Sequence, residues 1–216
     1  GIIPTLAPYL LPLFLNDFLS KYPKVQLHIF ELTTEDLVGK LEKRELDAGL
    51  LATPLGNSNL KEFQLFYDEF RVYGSEQDLL IKKKYIIKEE ININQLWLLE
   101  EGHCFRSQII NLCELQKKEM HLRQLDLAVG SIETLKNLVD TYKGITIIPA
   151  LALNNLSTHQ KRQVRYFRTP APVREISLVT HHYFVKEKLL KALMDEIQNN
   201  IPETMRQLKH RDVIPF

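Results

Sequence analysis

The feature that most constrains the fold of this chain is a repeated alternation of apolar β-type runs with amphipathic helical segments. The β-type runs occupy 1–3, 25–32, 47–52, 61–75, 95–101, 125–130, 145–149 and 174–182. Apolar residues at helical spacing predict helices at 7–23, 34–43, 132–143 and 186–201, and further helices begin near His103 and Pro149. This order is typical of α/β proteins with parallel sheets. The length of 216 residues fits two α/β lobes of about 100 residues each.

Several of these helices directly follow a strand and a hydroxyl residue. The strand–hydroxyl–helix unit occurs at Thr5, at Thr34 and at Ser131. Since a hydroxyl oxygen can accept a hydrogen bond from a helix N-terminus, we expect Ser131 and either Thr33 or Thr34 to cap their helices. Gly144 is expected to end the helix that Ser131 begins. Ligands of such folds bind at the carboxyl ends of strands, near helix N-termini.

The charges and cysteines argue against several broad classes of protein. A balance of 28 basic and 27 acidic residues gives a net charge of +1, so nothing indicates a nucleic-acid-binding or membrane-binding surface. No apolar run approaches the roughly 20 residues that span a bilayer, and we recognise no signal peptide. Two cysteines are too few for a disulfide scaffold, which favours a reducing, cytoplasmic compartment. Because the chain begins at Gly1 with residues typical of a fold interior, we expect a piece of a longer protein.

Both cysteines lie in one stretch, EEGHCFRSQIINLCEL, at 100–115. If 103–115 form one helix, the nine-residue interval puts Cys104 and Cys113 on opposite faces, roughly 13 Å apart along the axis. A disulfide requires Cα atoms within about 7 Å of each other. A bond between these two thiols would therefore require the helix to unwind or bend, as in a switch.

The surroundings of the two thiols differ. Cys104 follows His103 at a helix start, where the helix N-terminus, His103 and Arg106 each favour the thiolate, whereas Cys113 lies among apolar residues. One activated thiol beside a quiet one is the arrangement of a redox sensor. Core packing of two small apolar side chains remains an alternative. The spacing fits no common zinc site and no Cys–His hydrolase, and we expect neither a metal nor another cofactor.

Six stretches of the chain resemble, in order, the regulatory domains of peroxide-sensing regulators of the LysR family. They are GIIPTLAPYLLP, ELTTEDLVGKL, ELDAGLLA, LLEEGHCFRSQIINLC, SIETLKNLV and GITIIPALAL. The resemblance implies two Rossmann-like lobes of the type II periplasmic-binding-protein kind. Lobe I would combine 1–75 with 177–216, and lobe II, with the cysteines, would comprise 76–176. The resemblance also implies a winged helix-turn-helix domain N-terminal to this chain.

The same resemblance assigns roles to the two thiols. It implies that Cys104 is the cysteine that reacts with peroxide and that Cys113 resolves the product as a disulfide. Gly102 matches the turn that precedes the reactive cysteine. The residues between the cysteines differ from those of the related proteins, so the details of any refolding cannot be carried over.

The resemblance further implies a small polar pocket for peroxide. His103, Thr5 and Thr34 match its polar residues, and a threonine hydroxyl can both donate and accept a hydrogen bond. His181 stands where related proteins carry an arginine, and Ser107 where an acidic residue is common. For Thr5 and Thr34 the alternative is that they only cap helices.

We therefore expect a redox-sensing regulatory domain of a hydrogen-peroxide-responsive LysR-type transcription factor, and not an enzyme. It would switch through a reversible Cys104–Cys113 disulfide that remodels the dimer. One alternative is a LysR-type effector domain that binds a small metabolite. Another is a two-cysteine thiol peroxidase, although the sequence lacks the Pro-x-x-x-Thr-x-x-Cys pattern of peroxiredoxins.

The expected partners follow from the same resemblance. They are hydrogen peroxide, a cellular thiol reductant and further copies of the chain in a homodimer or homotetramer. DNA and RNA polymerase are expected as partners of the full-length protein, and no membrane is expected as a partner. The resemblance implies antiparallel pairing between the first helix and a lobe II helix. Leu11, Leu15, Phe18 and the helix at 132–142 are the interface candidates, with core packing as the alternative.

Overall fold

Two units make up the computed structural model, which describes residues 1–113, 129–207 and 211–216. The first unit comprises Gly1–Asp68 and Glu175–Lys209, and the second comprises Glu69–Arg174 and His210–Phe216. The lobe boundaries implied by the resemblance lie a few residues later in the chain, and they place 210–216 in the first lobe. Among the described residues, no helix has the length and apolar character that crossing a bilayer requires.

In the described residues, the first unit consists of three α-helices, a small sheet and a 3-10 turn. Its elements are α1 (Ala7–Lys21), α2 (Thr34–Glu42), β1 (Gly49–Thr53), the first part of β2 (Leu60–Gly74), the end of β7 (Ala171–His181), α6 (Glu187–Asn200) and a 3-10 turn at Glu203–Arg206. β1 pairs antiparallel with β7 along its length, and Ile2 forms parallel bridges to Leu50 and Glu31.

Helix α1 provides much of the first unit's core. Leu10, Phe14 and Phe18 recur at helical spacing and are at most 2% exposed. At the end of α1, Lys21 forms a 2.7 Å ion pair with Glu196 of α6, whose side chain is 5% exposed. The pair joins the two helices at one end.

The strand predicted at 25–32 is reduced to a single bridge. The carbonyl oxygen of Phe30 accepts from the Ile2 amide at 2.9 Å, and the Leu32 amide donates to the Ile2 carbonyl at 3.0 Å. Among the described residues, Ile2 alone forms a bridge to this segment, so no regular strand is seen there. Ile29 and Phe30 are 42% and 51% exposed.

The second unit is built on a mixed sheet. Its elements are the rest of β2, β3 (Tyr85–Ile86), β4 (Leu96–Trp97), α3 (Cys104–Leu112), α4 (Ile132–Tyr142), β5 (Ile145–Pro149), α5 (Thr158–Lys161), β6 (Val164–Phe167), the start of β7, β8 (Arg211–Val213) and 3-10 turns at Leu79–Lys82, Lys88–Glu90, Ile93–Gln95 and Ala150–Asn155. β2 runs antiparallel to β5 and β6, whereas β4–β5, β3–β6 and β7–β8 are parallel pairs. The parallel pairs are those that the strand–helix alternation favours, and antiparallel pairs stand beside them because β2 and β7 are not joined to their neighbours by a βαβ crossover.

Local signals place the helix ends. Thr33, and not Thr34, caps α2 by accepting from the Asp36 amide at 3.3 Å. Ser131 caps α4 by accepting from the Thr134 amide at 3.1 Å. The helix predicted at Pro149 is a 3-10 turn. Most of the strand predicted at 125–130 lies outside the described residues.

Candidate functional site

The helix with the two cysteines begins at a glycine turn. Gly102 has φ of +90°, a conformation that favours glycine, and His103 follows in extended geometry as the residue that precedes helix α3. Cys104 is the first residue of α3. The predicted order of turn, histidine and helix start is confirmed, and it places the Cys104 thiol at the positive end of a helix dipole.

Cys104 is buried, as is the histidine that precedes it. It is 6% exposed, and the neighbouring His103 is 7% exposed. The Nε2 atom of His103 lies 3.9 Å from Oε1 of Glu100, whose side chain is 44% exposed. The Arg106 guanidinium donates to the Leu99 carbonyl at 2.6 Å. The helix N-terminus therefore acts on a thiol that is largely shielded from water, which strengthens its electrostatic effect.

Cys113 occupies the other end of the same helix. It follows the last residue of α3, and its amide donates to the Ile109 carbonyl at 3.0 Å. Burial raises the pKa of the Cys113 thiol to about 12, with a smaller lowering by Lys88 and a raising by Glu89. At neutral pH this group is a protonated thiol and a weak nucleophile. It is the quiet thiol that the sequence predicts.

The two thiols are separated by the full length of α3. Neither forms a disulfide. Nine residues at 1.5 Å per residue separate them by about 13 Å along the axis, and nine steps of 100° place them on opposite faces. Since a disulfide requires Cα atoms within about 7 Å, α3 must unwind before the sulfur atoms can meet.

Buried side chains of the second unit hold α3 in place. Phe105 is fully buried, packs edge-on against Phe70 at 5.2 Å, and lies 4.9 Å below the Arg174 guanidinium. Gln108 donates to the Ile214 carbonyl at 2.9 Å. Sequence reasoning missed Arg174 and Gln108. A fully buried arginine or glutamine leaves no local signal in a strand or helix that otherwise has an apolar pattern.

Three of the predicted pocket residues belong to the first unit. Thr5 is 2% exposed and precedes α1, whose N-cap is Leu6. Thr34 is the first residue of α2, and its Oγ1 atom is buried without a hydrogen-bond partner among the described residues. His181 ends β7, where its Nδ1 accepts from the Tyr183 amide at 3.2 Å. The alternative that Thr34 is a helix cap is wrong, because its hydroxyl accepts no hydrogen bond among the described residues.

The predicted interface residues on α1 differ in burial. Leu11 and Leu15 are half-buried. Phe18 is 1% exposed and packs against Tyr22 at 5.0 Å. Phe18 is thus a core residue of the first unit, which agrees with the core-packing alternative for this position. Among the described residues, no cluster of three or more His, Cys, Asp or Glu side chains could hold a metal ion.

Comparison with known proteins identifies the family to which the chain belongs. Residues 1–202 match the LysR substrate binding domain family, and the chain belongs to that family. The structure is similar to the crystal structure of OxyR from Porphyromonas gingivalis, with 34% identity, a TM-score of 0.90, and coverage of 99% of this chain and 96% of that one.

Two curated relatives extend the comparison. The chain is 32% identical over 214 residues to a probable hydrogen peroxide-inducible genes activator of Streptomyces viridosporus, covering 99% of this chain and 67% of that protein. It is 30% identical over 182 residues to the HTH-type transcriptional regulator EstR of Acinetobacter baylyi, covering 83% of this chain and 59% of EstR. The chain thus spans about three fifths to two thirds of the length of these relatives.

Proposed function

We propose that this chain is the redox-sensing regulatory domain of a hydrogen-peroxide-responsive LysR-type transcription factor. The observation that carries the proposal is the placement of two thiols at opposite ends of one helix. Cys104 lies at the helix N-terminus, where a thiolate is favoured, and Cys113 lies at the C-terminal end. The similarity to OxyR structures and to peroxide-responsive activators supports the same function.

Oxidation of the thiol pair by peroxide takes place in two steps. The Cys104 thiolate attacks one peroxide oxygen, the O–O bond breaks, the departing hydroxide takes up a proton as water, and the sulfur loses two electrons to become a sulfenic acid. The Cys113 sulfur then attacks the Cys104 sulfur, the S–O bond breaks, and a second water leaves. A cellular thiol reductant returns two electrons to reset the pair.

The second step requires a change in α3. The helix holds the sulfur atoms about 13 Å apart along its axis, and burial keeps Cys113 protonated. Unwinding of the half of α3 that leads to Cys113 removes both obstacles, since it lets the sulfur atoms approach each other and hydrates the Cys113 thiol. Disulfide formation is therefore coupled to remodelling of this segment and, we propose, of the dimer.

Polar side chains would bind the peroxide. We assign Gly102, His103, Thr5, Thr34 and His181 to the peroxide pocket, with Gly102 and His103 forming the turn beside Cys104. The buried Oγ1 of Thr34, which has no partner among the described residues, supports a polar ligand there, because an unsatisfied buried hydroxyl is costly. Donors near the leaving oxygen would stabilise the charge that develops on it.

The proposed partners are those of a cytoplasmic regulator. They are a second copy of the chain, with a homotetramer as a larger assembly, a thiol reductant, and DNA and RNA polymerase through the full-length protein. One oxidation event per subunit suffices for a sensor, so we propose no enzymatic turnover of peroxide.

The test is a non-reducing peptide map after one equivalent of hydrogen peroxide, made on the parent chain and on Cys113→Ser. We expect a Cys104–Cys113 disulfide in the parent and a trapped sulfenic acid at Cys104 in the variant. Two intact thiols in the parent would overturn the proposal and would favour a metabolite-binding effector domain. Continuous consumption of peroxide in the presence of a reductant, at many equivalents per chain, would favour a thiol peroxidase.

A further inference from the structure

The 211–216 segment contacts the helix that bears both cysteines. Gln108 Nε2 donates to the Ile214 carbonyl at 2.9 Å, and Asn111 Nδ2 donates to the Pro215 carbonyl at 3.1 Å. These side chains lie three residues apart on α3 and thus on the same face. They reach two successive carbonyl oxygens of one extended segment, and they do so in the half of α3 that leads to Cys113.

The same segment is fixed to the second unit independently of α3. β8 continues the sheet beside β7 in parallel register, and the Ile214 amide donates to the Val173 carbonyl at 2.9 Å. At its start, Arg211 donates to Glu69 Oε1 through Nε at 2.8 Å and Nη2 at 2.7 Å. Burial opposes ionisation of Glu69, but Arg71 and Arg211 together lower its pKa. The segment is therefore anchored at one end and contacts α3 at the other.

Gln108 is an unfavourable choice for a packing residue. Its side chain is fully buried, and its Oε1 atom has no hydrogen-bond partner among the described residues. A buried amide whose oxygen has no hydrogen-bond partner contributes less to the stability of the folded protein than an apolar side chain of the same size. The Gln108 amide therefore fixes the position of α3 against the Ile214 carbonyl more than it adds stability.

We propose that 211–216 is a clamp that holds α3 in helical form, with Gln108 as the positioning residue, and thereby sets how readily the Cys104–Cys113 disulfide forms. The proposal rests on the proposed function. It concerns the second step, in which the Cys113 sulfur displaces water from the Cys104 sulfenic acid. For this step the half of α3 that leads to Cys113 must unwind from Gln108 onward, and the hydrogen bonds from Gln108 and Asn111 are released with it.

The experiment compares three variants of the full chain. Gln108→Met replaces the amide by an unbranched apolar side chain of similar length and thereby removes the hydrogen-bond donor. Arg211→Gln loosens the anchor without altering α3. Gln198→Met is the matched control, because Gln198 also donates to a backbone carbonyl, that of Leu65 in the first unit, at 3.3 Å. Each is studied as the reduced dithiol chain and in a Cys113→Ser background.

Three quantities separate a positioning role from a general loss of stability. The rate of sulfenic acid formation in the Cys113→Ser background should match the parent in every variant. The rate of disulfide closure, followed by rapid quenching and mass spectrometry, should rise about fivefold in Gln108→Met and Arg211→Gln, because one neutral hydrogen bond contributes roughly that factor. The reduction potential against glutathione should fall by about 20 mV, the equivalent of fivefold for a two-electron couple.

The outcomes distinguish the clamp from the sensor function. Parent-like closure and potential in both Gln108→Met and Arg211→Gln would overturn the clamp and leave the sensor intact. An equal shift in Gln198→Met would also overturn it, since the effect would then be general. If Gln108→Met does not fold, Arg211→Gln decides alone. A parent chain that forms no disulfide would overturn the sensor function and the clamp with it.

Discussion

At the scale of single residues, Cys113 is the thiol whose ionisation the fold changes most clearly. Burial raises its pKa from 9.0 to about 12, and Lys88 only partly opposes this. Below pH 12 its thiolate fraction should therefore rise about tenfold per pH unit. We expect iodoacetamide to alkylate Cys113 of the reduced, folded chain at a rate that climbs from pH 7 to 10 without levelling. A rate that levels near pH 9 in the folded chain would contradict this.

The unfolded chain provides the control for Cys113. In urea the thiol is exposed, so the alkylation rate should stop rising once the pH exceeds the ordinary thiol pKa of 9.0. The sign for stability follows from the same shift. Because the folded-state pKa lies above the unfolded one, the protonated thiol contributes stability that is complete below about pH 9 and is lost as the pH rises toward 12. A Cys113→Ala variant should lack this alkaline loss in denaturant unfolding.

Two adjacent threonines allow a second test at the residue scale. The Thr33 hydroxyl caps α2, whereas the Thr34 hydroxyl is buried without a partner among the described residues. Thr33→Val should lower the free energy of unfolding by about 1 kcal/mol. Thr34→Val should leave it unchanged or raise it, because the buried hydroxyl is removed. If Thr34 binds peroxide as proposed, Thr34→Val alone should slow sulfenic acid formation at Cys104 roughly tenfold through the loss of one hydrogen bond.

The measurements for the threonine pair are urea unfolding and trapping of Cys104 sulfenic acid in the Cys113→Ser background. Equal oxidation rates in Thr33→Val and Thr34→Val would remove Thr34 from the peroxide pocket. A loss of stability in Thr34→Val like that expected for Thr33→Val would indicate that its hydroxyl has a structural role. Only a slower reaction at unchanged stability supports the pocket assignment.

At the scale of elements, the sequence predicts those parts whose signals are local. The start of α3 follows from Gly102 and His103. Helix α4 is capped by Ser131 at its N-terminus and is followed by Lys143 and Gly144, both with positive φ. Capping hydroxyls and positive-φ glycines act within a few residues of the helix end that they define. The thiols at the two ends of α3 belong to this predictable class, since one stretch of sequence contains both.

Elements that depend on distant partners could not be predicted in the same way. The residues of β8 resemble a tail in sequence and become a strand only by pairing with β7. The bond between Gln108 and the Ile214 carbonyl joins residues 106 positions apart. The apolar run at 25–32 has strand character, but within the described part of the chain its one strand-like pairing is with Ile2. In each case tertiary contacts decide whether a local preference becomes an element.

At the scale of the whole molecule, α1 is the element through which the proposed dimer can be tested. Leu15 is half-buried on α1, whereas Phe18, one turn later, is 1% exposed in the core. Charged side chains are disfavoured at the centre of protein interfaces. Leu15→Arg should therefore raise the dimer dissociation constant at least about tenfold, at a thermal midpoint close to that of the parent. Phe18→Leu should lower the thermal midpoint and leave the dimer dissociation constant close to that of the parent, because it alters core packing.

Sedimentation equilibrium of the reduced and oxidised chains, with thermal unfolding of the same samples, separates these outcomes. A Leu15→Arg chain that associates like the parent would remove the centre of α1 from the interface. A Phe18→Leu chain that dissociates at an unchanged thermal midpoint would mean that core packing is not its role. If disulfide formation remodels the dimer, the dissociation constant of the parent should also differ between the two redox forms. If Leu15 contacts the partner copy in only one redox form, Leu15→Arg should reduce that difference, because the contact is then lost from that form alone.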